Sequence, residues 1–295
     1  MEIPQFAIYD LVMKYKIIFS AFLLFFLNGC EGNEPGSVKD TTLKPADSTS
    51  FQKIIDAKQD AGLKTIHVFV ALCDNKYQGI VPVPAKIGNG QDAANNLYWG
   101  AAYGVKTFFN KSCEWKLVEA KKNPAENILE RLLFKHKIKN IYLLADAYDG
   151  QFIKQTTIDF LLACSGKGIT TIKNNTIEIT FGGAADILAY VGHDGLMDFS
   201  LPDEFEKQND EQRKAIMLAC ISKKYFSSHL KSTGAEPLLW STGLMAPEAY
   251  NLHDAVNKWI ETGDAAQTRN AAAAAYSKYQ RCSLKAAKNL LVSGW

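Results

Sequence analysis

Two apolar segments separated by a polar insert decide the fold of this chain, ADILAYVGHDG at 185–195 and KAIMLACIS at 214–222. Within them, the runs Ile187–Val191 and Ala215–Ala219 have the length and the flanking residues of strands buried in a parallel sheet. Such strands are joined by helical crossovers, and alternating strands and helices predict an α/β fold. We therefore expect these two runs to be strands of one mostly parallel sheet.

A reactive side chain follows each of the two runs: His193 the first and Cys220 the second. In an open parallel sheet, ligands bind beyond the carboxyl ends of the strands. Neighbouring strands lie about 5 Å apart, so neighbouring runs would bring imidazole and thiol over one cleft. This pattern predicts a cysteine nucleophile, with histidine as its general acid and base.

Each residue alone has a simpler interpretation. A cysteine after an apolar run is commonly a small buried hydrophobe, and a single histidine near a strand end is commonly structural. The pair at successive strand ends, with Gly192 and Gly195 around the histidine and the polar residues from Ser222 after the cysteine, favours catalysis.

These residues resemble the caspase-like cysteine peptidases, the group that includes caspases, metacaspases, gingipains, clostripain and legumain. In that group one strand ends in His-Gly, the next ends in Ala-Cys or a similar pair, and a helix follows. Here YVGHDG and LACIS fill these two places. The resemblance extends from Ile66 to the region of Tyr250. It implies a three-layer α/β fold, a peptide or protein substrate, and cleavage of a peptide bond without a cofactor.

One departure from the family pattern concerns the oxyanion hole. His193 is followed by Asp194, and the glycine comes one step later at Gly195. In the family, the amide of the glycine after the histidine helps to hold the oxyanion. The resemblance therefore implies that the donors are the Cys220 amide and an amide from Asp194 or Gly195.

The resemblance also implies where the substrate side chain lies. In caspase-like peptidases the stretch after the last strand shapes the pocket for the residue before the scissile bond. The residues in that place are Trp240, Ser241, Thr242 and Gly243.

Two aspartates, Asp74 and Asp146, also follow predicted strands at the same edge of the sheet. They could supply negative charge for a Lys or Arg side chain of the substrate, although aspartates at such positions are often caps or turn residues. The same pair fits a Mg²⁺-dependent phosphatase, which needs clustered carboxylates and a phosphate cradle. The chain has no Asp-x-Asp pair after the first strand and no Gly-x-x-x-x-Gly-Lys loop. No metal site is expected, because no second His-rich cluster accompanies His193 at ligand spacing.

The first 62 residues predict export and membrane anchoring. Lys14 and Lys16 precede the apolar run Ile17–Leu27, which is shorter than the ~20 residues of a membrane-spanning helix. Cys30 follows Leu-Asn-Gly, which resembles a bacterial lipobox, so we expect a lipoprotein signal peptide at 1–29 and a lipid on Cys30. An ordinary secretory signal is the alternative. The polar composition of segment 30–62 predicts a flexible tether. The expected location is the cell envelope.

Composition supports one globular domain at 63–295 and gives no sign of a nucleic-acid partner. The 295-residue chain has a formal net charge of only +2, which argues against binding driven by phosphate charge. If Cys30 carries lipid, five of the six cysteines remain. An odd number leaves at least one thiol free, as a reactive Cys220 requires.

The remaining elements follow from hydrophobic periodicity and from the positions of Pro and Gly. Predicted strands are Ile66–Leu72, Trp115–Ala120, Ile138–Ala145 and Pro237–Ser241, with a hairpin at Thr170–Phe181. Predicted helices are Asn96–Asn110, Ala125–His136, Gln151–Cys164, Lys223–Lys231, 247–261 and Ala265–Leu291. A compact caspase-like domain would reach the histidine strand sooner, so either the middle is an insertion or the strand order differs.

Two functional hypotheses from different classes follow. The first is an exported, lipid-anchored cysteine peptidase that uses Cys220 and His193. The second is a non-catalytic lipoprotein that keeps the fold as a binding module, which Asp194 in the place of glycine favours.

Overall fold

The computed structural model describes residues 52–54, 62–174, 177–202 and 205–295. The predicted leader at 1–29, the lipidation site Cys30 and nearly all of the tether at 30–62 lie outside the described residues. The strands in the described part are β1 Lys64–Ala71, β2 Trp115–Ala125, β3 Ile128–His136, β4 Ile141–Tyr148, β5 Thr170–Asn174, β6 Ile177–Phe181, β7 Ile187–Val191, β8 Lys214–Leu218, β9 Glu236–Ser241 and β10 Leu291–Val292.

The helices connect or flank these strands, and short 3₁₀ turns follow β4, β6 and β7. They are α1 Val105–Asn110, α2 Ile153–Ser165, α3 Ser222–Thr233, α4 Ala249–Thr262, α5 Ala265–Gln280 and α6 Leu284–Leu290. None of the helices in the described ranges is long and apolar enough to cross a membrane.

One sheet of eight strands forms the centre, in the order β10-β9-β8-β7-β1-β4-β3-β2. The five strands from β9 to β4 run parallel; β10 pairs antiparallel with β9 at one edge, and at the other edge β3 pairs antiparallel with β4 and β2 with β3. Both faces of β1 are buried from Thr65 onward, as expected for a central parallel strand. The prediction of an α/β fold with a mostly parallel sheet is confirmed.

The histidine strand and the cysteine strand are neighbours. β7 pairs with β8 in parallel, and Val191 is the register partner of Leu218. His193 and Cys220 therefore each come two residues after the last pair of the same ladder. This confirms the expected adjacency of the two runs.

Helices cover both faces of the sheet. On one face, α2 and α3 pack with Phe160 and Phe226 against strand residues that include Phe69, Tyr190 and Met217. On the other face, Phe109 of α1 packs against Phe134 and Trp115, and α4 and α5 contact β8 and β9. The result is a three-layer α/β arrangement.

The predicted helix Ala125–His136 is wrong, because this segment is β3. Asn127 adopts a left-handed backbone with φ 61° and turns the chain back, so that β3 pairs antiparallel with β2. Alternating burial at the start of β3 shows a period of two, which is the strand period. Pro124 therefore lies near the end of a strand and does not open a helix.

Two other predicted helices are shorter than expected. In the segment Asn96–Asn110 only Val105–Asn110 is α-helical, and a series of turns precedes it, in which Gly100 and Gly104 lie against neighbouring backbone with no room for a Cβ. The predicted helix Ala265–Leu291 breaks at Arg281, whose φ is 54°. Ser283 then caps α6, and Leu291 pairs with β9.

The middle of the chain is an extension of the sheet. Strands β2 and β3 add to the edge beyond β4, while β4 itself is the parallel neighbour of β1. The predicted hairpin at 170–181 is present as β5 and β6. Ile179 and Phe181 pack it against Leu133 of β3 and Leu144 of β4.

Candidate functional site at the carboxyl edge of the sheet

Gly192 carries the chain from β7 to the histidine. Its φ of 150° lies in the region that favours glycine, and a Cβ here would lie 2.7 Å from the Ala71 carbonyl oxygen of β1. Its N–H donates to the Leu218 carbonyl of β8 at 3.2 Å. These contacts fix the turn between β1 and β8, and the turn in turn fixes the backbone position of His193.

His193 is buried and is held at both its backbone and its ring. The Tyr190 hydroxyl donates to the His193 carbonyl at 2.7 Å, and the ring Nε2 lies 2.8 Å from Asp198 Oδ2. The same carboxylate oxygen accepts from the Gly79 N–H at 2.9 Å. Asp198 was missed by sequence reasoning, since it lies in an irregular loop with no periodic or strand-end signal.

Cys220 lies in the turn between β8 and α3. The next residue, Ile221, has a left-handed φ of 52° and forms the N-cap of α3. The Met245 N–H lies 3.4 Å from the Cys220 sulfur, and the thiol lies 3.5 Å from the Met245 carbonyl oxygen. Burial raises the pKa of the Cys220 thiol, the Met245 backbone opposes this, and the charge of Asp194 raises it further.

No described residue forms a hydrogen bond to His193 Nδ1, and no direct hydrogen bond joins His193 to Cys220. The imidazole is bonded to Asp198 and the thiol to Met245. The structure therefore brings the two residues to neighbouring strand ends, with each side chain bonded to its own partner.

Two backbone amides at this edge are unused. Within the described part of the chain, the N–H groups of Asp194 and Cys220 donate no hydrogen bond. Both amides are among the predicted oxyanion donors.

The Asp194 side chain is fully buried. Its Oδ1 accepts from the Leu196 N–H at 3.1 Å, while Oδ2 has no hydrogen-bond partner among the described residues. Burial raises the pKa of Asp194 to about 7, with the Leu196 N–H opposing and the charge of Asp198 adding to the rise. A carboxyl group whose charge acts on the thiol therefore has a pKa near neutral pH.

The residues predicted to line the substrate pocket after β9 support the turns around it. Trp240 and Ser241 are fully buried. The Ser241 hydroxyl donates to the Ala219 carbonyl and accepts from the Ser222 N–H at 3.2 Å, so it holds the turn that contains Cys220. The Thr242 hydroxyl donates to the Asn289 carbonyl at 2.8 Å.

Asp74 lies just beyond β1, at the predicted edge of the sheet. Its carboxylate accepts hydrogen bonds from nearby residues of the chain. Oδ1 accepts from the N–H groups of Lys76 at 2.7 Å and Tyr77 at 3.1 Å. Oδ2 accepts from the Gly90 N–H at 3.1 Å and from Gln91 Nε2 at 2.9 Å. The side chain closes the loop after β1.

Asp146 lies within β4, because the strand continues to Tyr148. Arg131 donates to its two oxygens from Nε at 2.6 Å and Nη2 at 2.7 Å, and His67 Nε2 lies 3.1 Å away. Burial alone would raise the pKa of Asp146, but these bonds outweigh it and hold the pKa below its ordinary value. The structure does not bring this residue to the strand-end cleft.

Other features of the described residues do not add a ligand site. No group of three or more His, Cys, Asp or Glu side chains within them is arranged to hold a metal ion. A cavity of ≈ 270 Å³ lies between the sheet extension and the β5–β6 hairpin, and is lined in part by Arg131 and Lys173. Arg131 is paired with Asp146 and Lys173 with Glu178.

The five cysteines in the described ranges, Cys73, Cys113, Cys164, Cys220 and Cys282, are all free thiols. Burial raises the pKa of Cys73 to about 12 and also raises that of Cys164. Cys113 is exposed, and Cys282, like Cys220, is partly exposed.

Comparison with protein-family models, with curated proteins and with solved structures gives no match.

Proposed function

We propose that the chain is a cysteine peptidase of the caspase-like type, with Cys220 as nucleophile and His193 as general acid and base. The observation that carries the proposal is that His193 and Cys220 each lie two residues beyond the end of a strand. The two strands are neighbours, and their last residues, Val191 and Leu218, are register partners. Two unused backbone amides beside them add to its support. Donors of this kind stabilise the oxyanion of acyl transfer.

The reaction would follow the ordinary course of thiol hydrolases. His193 takes the thiol proton, and the Cys220 sulfur attacks the carbonyl carbon while the amides of Asp194 and Cys220 hold the oxyanion. The C–N bond breaks as the imidazolium gives its proton to the leaving amine, which leaves a thioester. Water, deprotonated by His193, attacks the thioester, and the acid and the free thiol are released.

Covalent labelling of the full chain tests the proposal. A chloromethyl ketone or an epoxide that alkylates activated thiols should modify Cys220, as read by peptide mapping. His193→Ala should lower the labelling rate at Cys220 about 10²-fold or more, because it removes the base. Cys113→Ser is the matched control, since it removes an exposed thiol outside the site and should leave the Cys220 rate unchanged.

The second candidate function is a non-catalytic binding module with the same fold. The thiol bonded to Met245, together with Asp194 in place of glycine, favours this alternative. Under it, Cys220 would label no faster than Cys282, and His193→Ala would have no effect.

We also propose that the protein is exported and anchored to a membrane through a lipid on Cys30. The support is the sequence alone, a short apolar run that ends at Leu-Asn-Gly-Cys before a polar segment. Cys30→Ser should release the protein from the membrane fraction or leave the precursor uncleaved. Normal processing with unchanged membrane retention would contradict the anchor.

A further inference from the structure

We propose that Asp198 is the positioning residue for His193, and that the loop after β1 holds Asp198 in place through Gly79. This inference rests on the proposed function. It assigns to this chain a third member of the site that lies in the loop after the histidine.

The hydrogen bonds at Asp198 determine which nitrogen of His193 carries the proton. A carboxylate only accepts hydrogen bonds, so Nε2, at 2.8 Å from Oδ2, must be the N–H donor. The lone pair of the neutral ring is then on Nδ1, and no described residue hydrogen-bonds that atom. Asp198 thus leaves Nδ1 as the nitrogen that can take the proton of Cys220.

Charge makes a carboxylate suited to this position. When His193 takes the thiol proton, its ring becomes a cation, and a negative partner at hydrogen-bonding distance stabilises that state. Charge-assisted hydrogen bonds are also stronger and shorter than neutral ones. The Asp198 side chain is partly exposed, and the imidazole is almost fully buried, so the pair lies at the boundary of the site.

Gly79 bonds the same carboxylate oxygen of Asp198 as His193 does. Its N–H donates to Asp198 Oδ2 at 2.9 Å, and a Cβ at this position would lie 2.3 Å from Oδ1. Only glycine lets the backbone approach this closely. The loop after β1 and the loop after β7 are therefore joined at the oxygen that orients His193.

Asp194, the other acid next to the histidine, cannot take this role in the same geometry. Its Oδ1 accepts from Leu196 N–H, and its side chain caps the 3₁₀ turn that follows. No hydrogen bond joins it to the imidazole within the described residues.

The test uses ¹⁵N-histidine labelling of the full chain, with His193→Ala to assign the signal, and measures the His193 tautomer by NMR. The wild type should show the Nε2–H tautomer. Asp198→Ala should give a mixture of tautomers and lower the Cys220 labelling rate about 10²-fold or more. Asp198→Asn keeps the volume and one acceptor oxygen, and should cause a smaller loss of the Cys220 labelling rate than Asp198→Ala.

Gly79→Ala disturbs the carboxylate without changing the acid, the histidine or the cysteine. It should reproduce the Asp198→Ala effect in part, whereas Asp210→Asn, which removes an exposed surface carboxylate, should change neither readout. Unaltered signals of the other histidines show that each variant is folded.

An unchanged tautomer in Asp198→Ala and Gly79→Ala, with Cys220 rates within twofold of wild type, would overturn the inference. Because the tautomer is measured without any reaction, it distinguishes the two proposals. A Nε2–H tautomer that depends on Asp198, in a protein whose Cys220 labels no faster than Cys282, supports the inference while the peptidase proposal fails.

Discussion

Met245 bonds the Cys220 thiol through both of its backbone groups, with the N–H 3.4 Å and the carbonyl oxygen 3.5 Å from the sulfur. Only a protonated thiol can donate to the carbonyl, whereas the N–H contact favours the thiolate, and the Met245 backbone lowers the pKa of the Cys220 thiol against the effect of burial. The thiol proton must leave this carbonyl before His193 can accept it. The segment after β9 thus sets the resting state of the proposed nucleophile.

The first prediction concerns the pH dependence of Cys220. Since burial and the charge of Asp194 raise the thiol pKa, the rate of alkylation by iodoacetamide should reach half its maximum above the ordinary value of about 8.5 for a cysteine. Asp194→Asn removes the negative charge and should move this midpoint to lower pH. Asp210→Asn is the control, and a midpoint below 8.5 in the wild type would contradict the prediction.

The second prediction concerns stability and Asp194. Its pKa is about 7 in the folded protein and about 3.9 in an unfolded chain, so folding is favoured by protonation. The contribution is fully present below pH ~4 and is lost as pH rises to ~7, by at most ~1.4 kcal/mol per pH unit. Urea unfolding at a series of pH values should show this decline in the wild type.

Asp194→Asn supplies the comparison for that experiment. Asparagine stays neutral across the window, so the difference in unfolding free energy between variant and wild type should grow from pH 4 to pH 7 and then level off. A constant difference over this range would show that Asp194 does not titrate there.

The fold was predictable where a short apolar run is bounded by polar residues or glycine. Ile187–Val191 and Ala215–Ala219 are short, uninterrupted apolar runs, and parallel strands buried on both faces have this composition. The period of β3 was obscured because Leu132, Leu133 and Phe134 are consecutive and all buried. A continuous apolar run does not distinguish a helix from a strand.

The site was predictable only in its strand-end residues. His193 and Cys220 follow strands, and parallel strands place their ends at one edge. Asp198 could not be found in this way, because its position depends on a hydrogen bond from Gly79, which is distant in the chain. The prediction for Asp146 depended on the end of β4, and strand ends are the least certain part of a sequence-based prediction.

A third prediction concerns the buried pair of Arg131 and Asp146. Arg131→Met leaves the Asp146 carboxylate with His67 as its partner, and breaking a buried pair typically costs about 3–5 kcal/mol. The double variant Arg131→Met, Asp146→Leu removes both charges and should recover much of that loss. Chemical denaturation measures the stability of both variants. A double variant less stable than Arg131→Met would show that the unpaired Asp146 charge does not cause the loss of stability.

A fourth prediction concerns the substrate. The carboxylates of Asp74 and Asp146 accept hydrogen bonds within the chain, which leaves them poorly placed to bind a basic side chain. Loops at the same edge expose apolar side chains instead, among them Tyr77, Phe152, Met197 and Leu244. We expect fluorogenic peptides with Leu, Phe or Met before the scissile bond to be cleaved faster than those with Arg or Lys. Faster cleavage after Arg or Lys would contradict this.

The last prediction tests the turn that positions the histidine. Gly192→Ala would put a Cβ 2.7 Å from the Ala71 carbonyl oxygen at a φ of 150°, so β7 and β1 must separate locally or the turn must move. Gly263→Ala is the matched control, because its φ of 65° is also unfavourable but no atom lies within 4 Å. The control should lose about 1–2 kcal/mol of stability and keep its rate of Cys220 labelling. Gly192→Ala should lose more stability and also label more slowly, because His193 follows the displaced turn. Equal losses in the two variants, with equal labelling rates, would mean that the close approach of Gly192 to β1 does not position the imidazole.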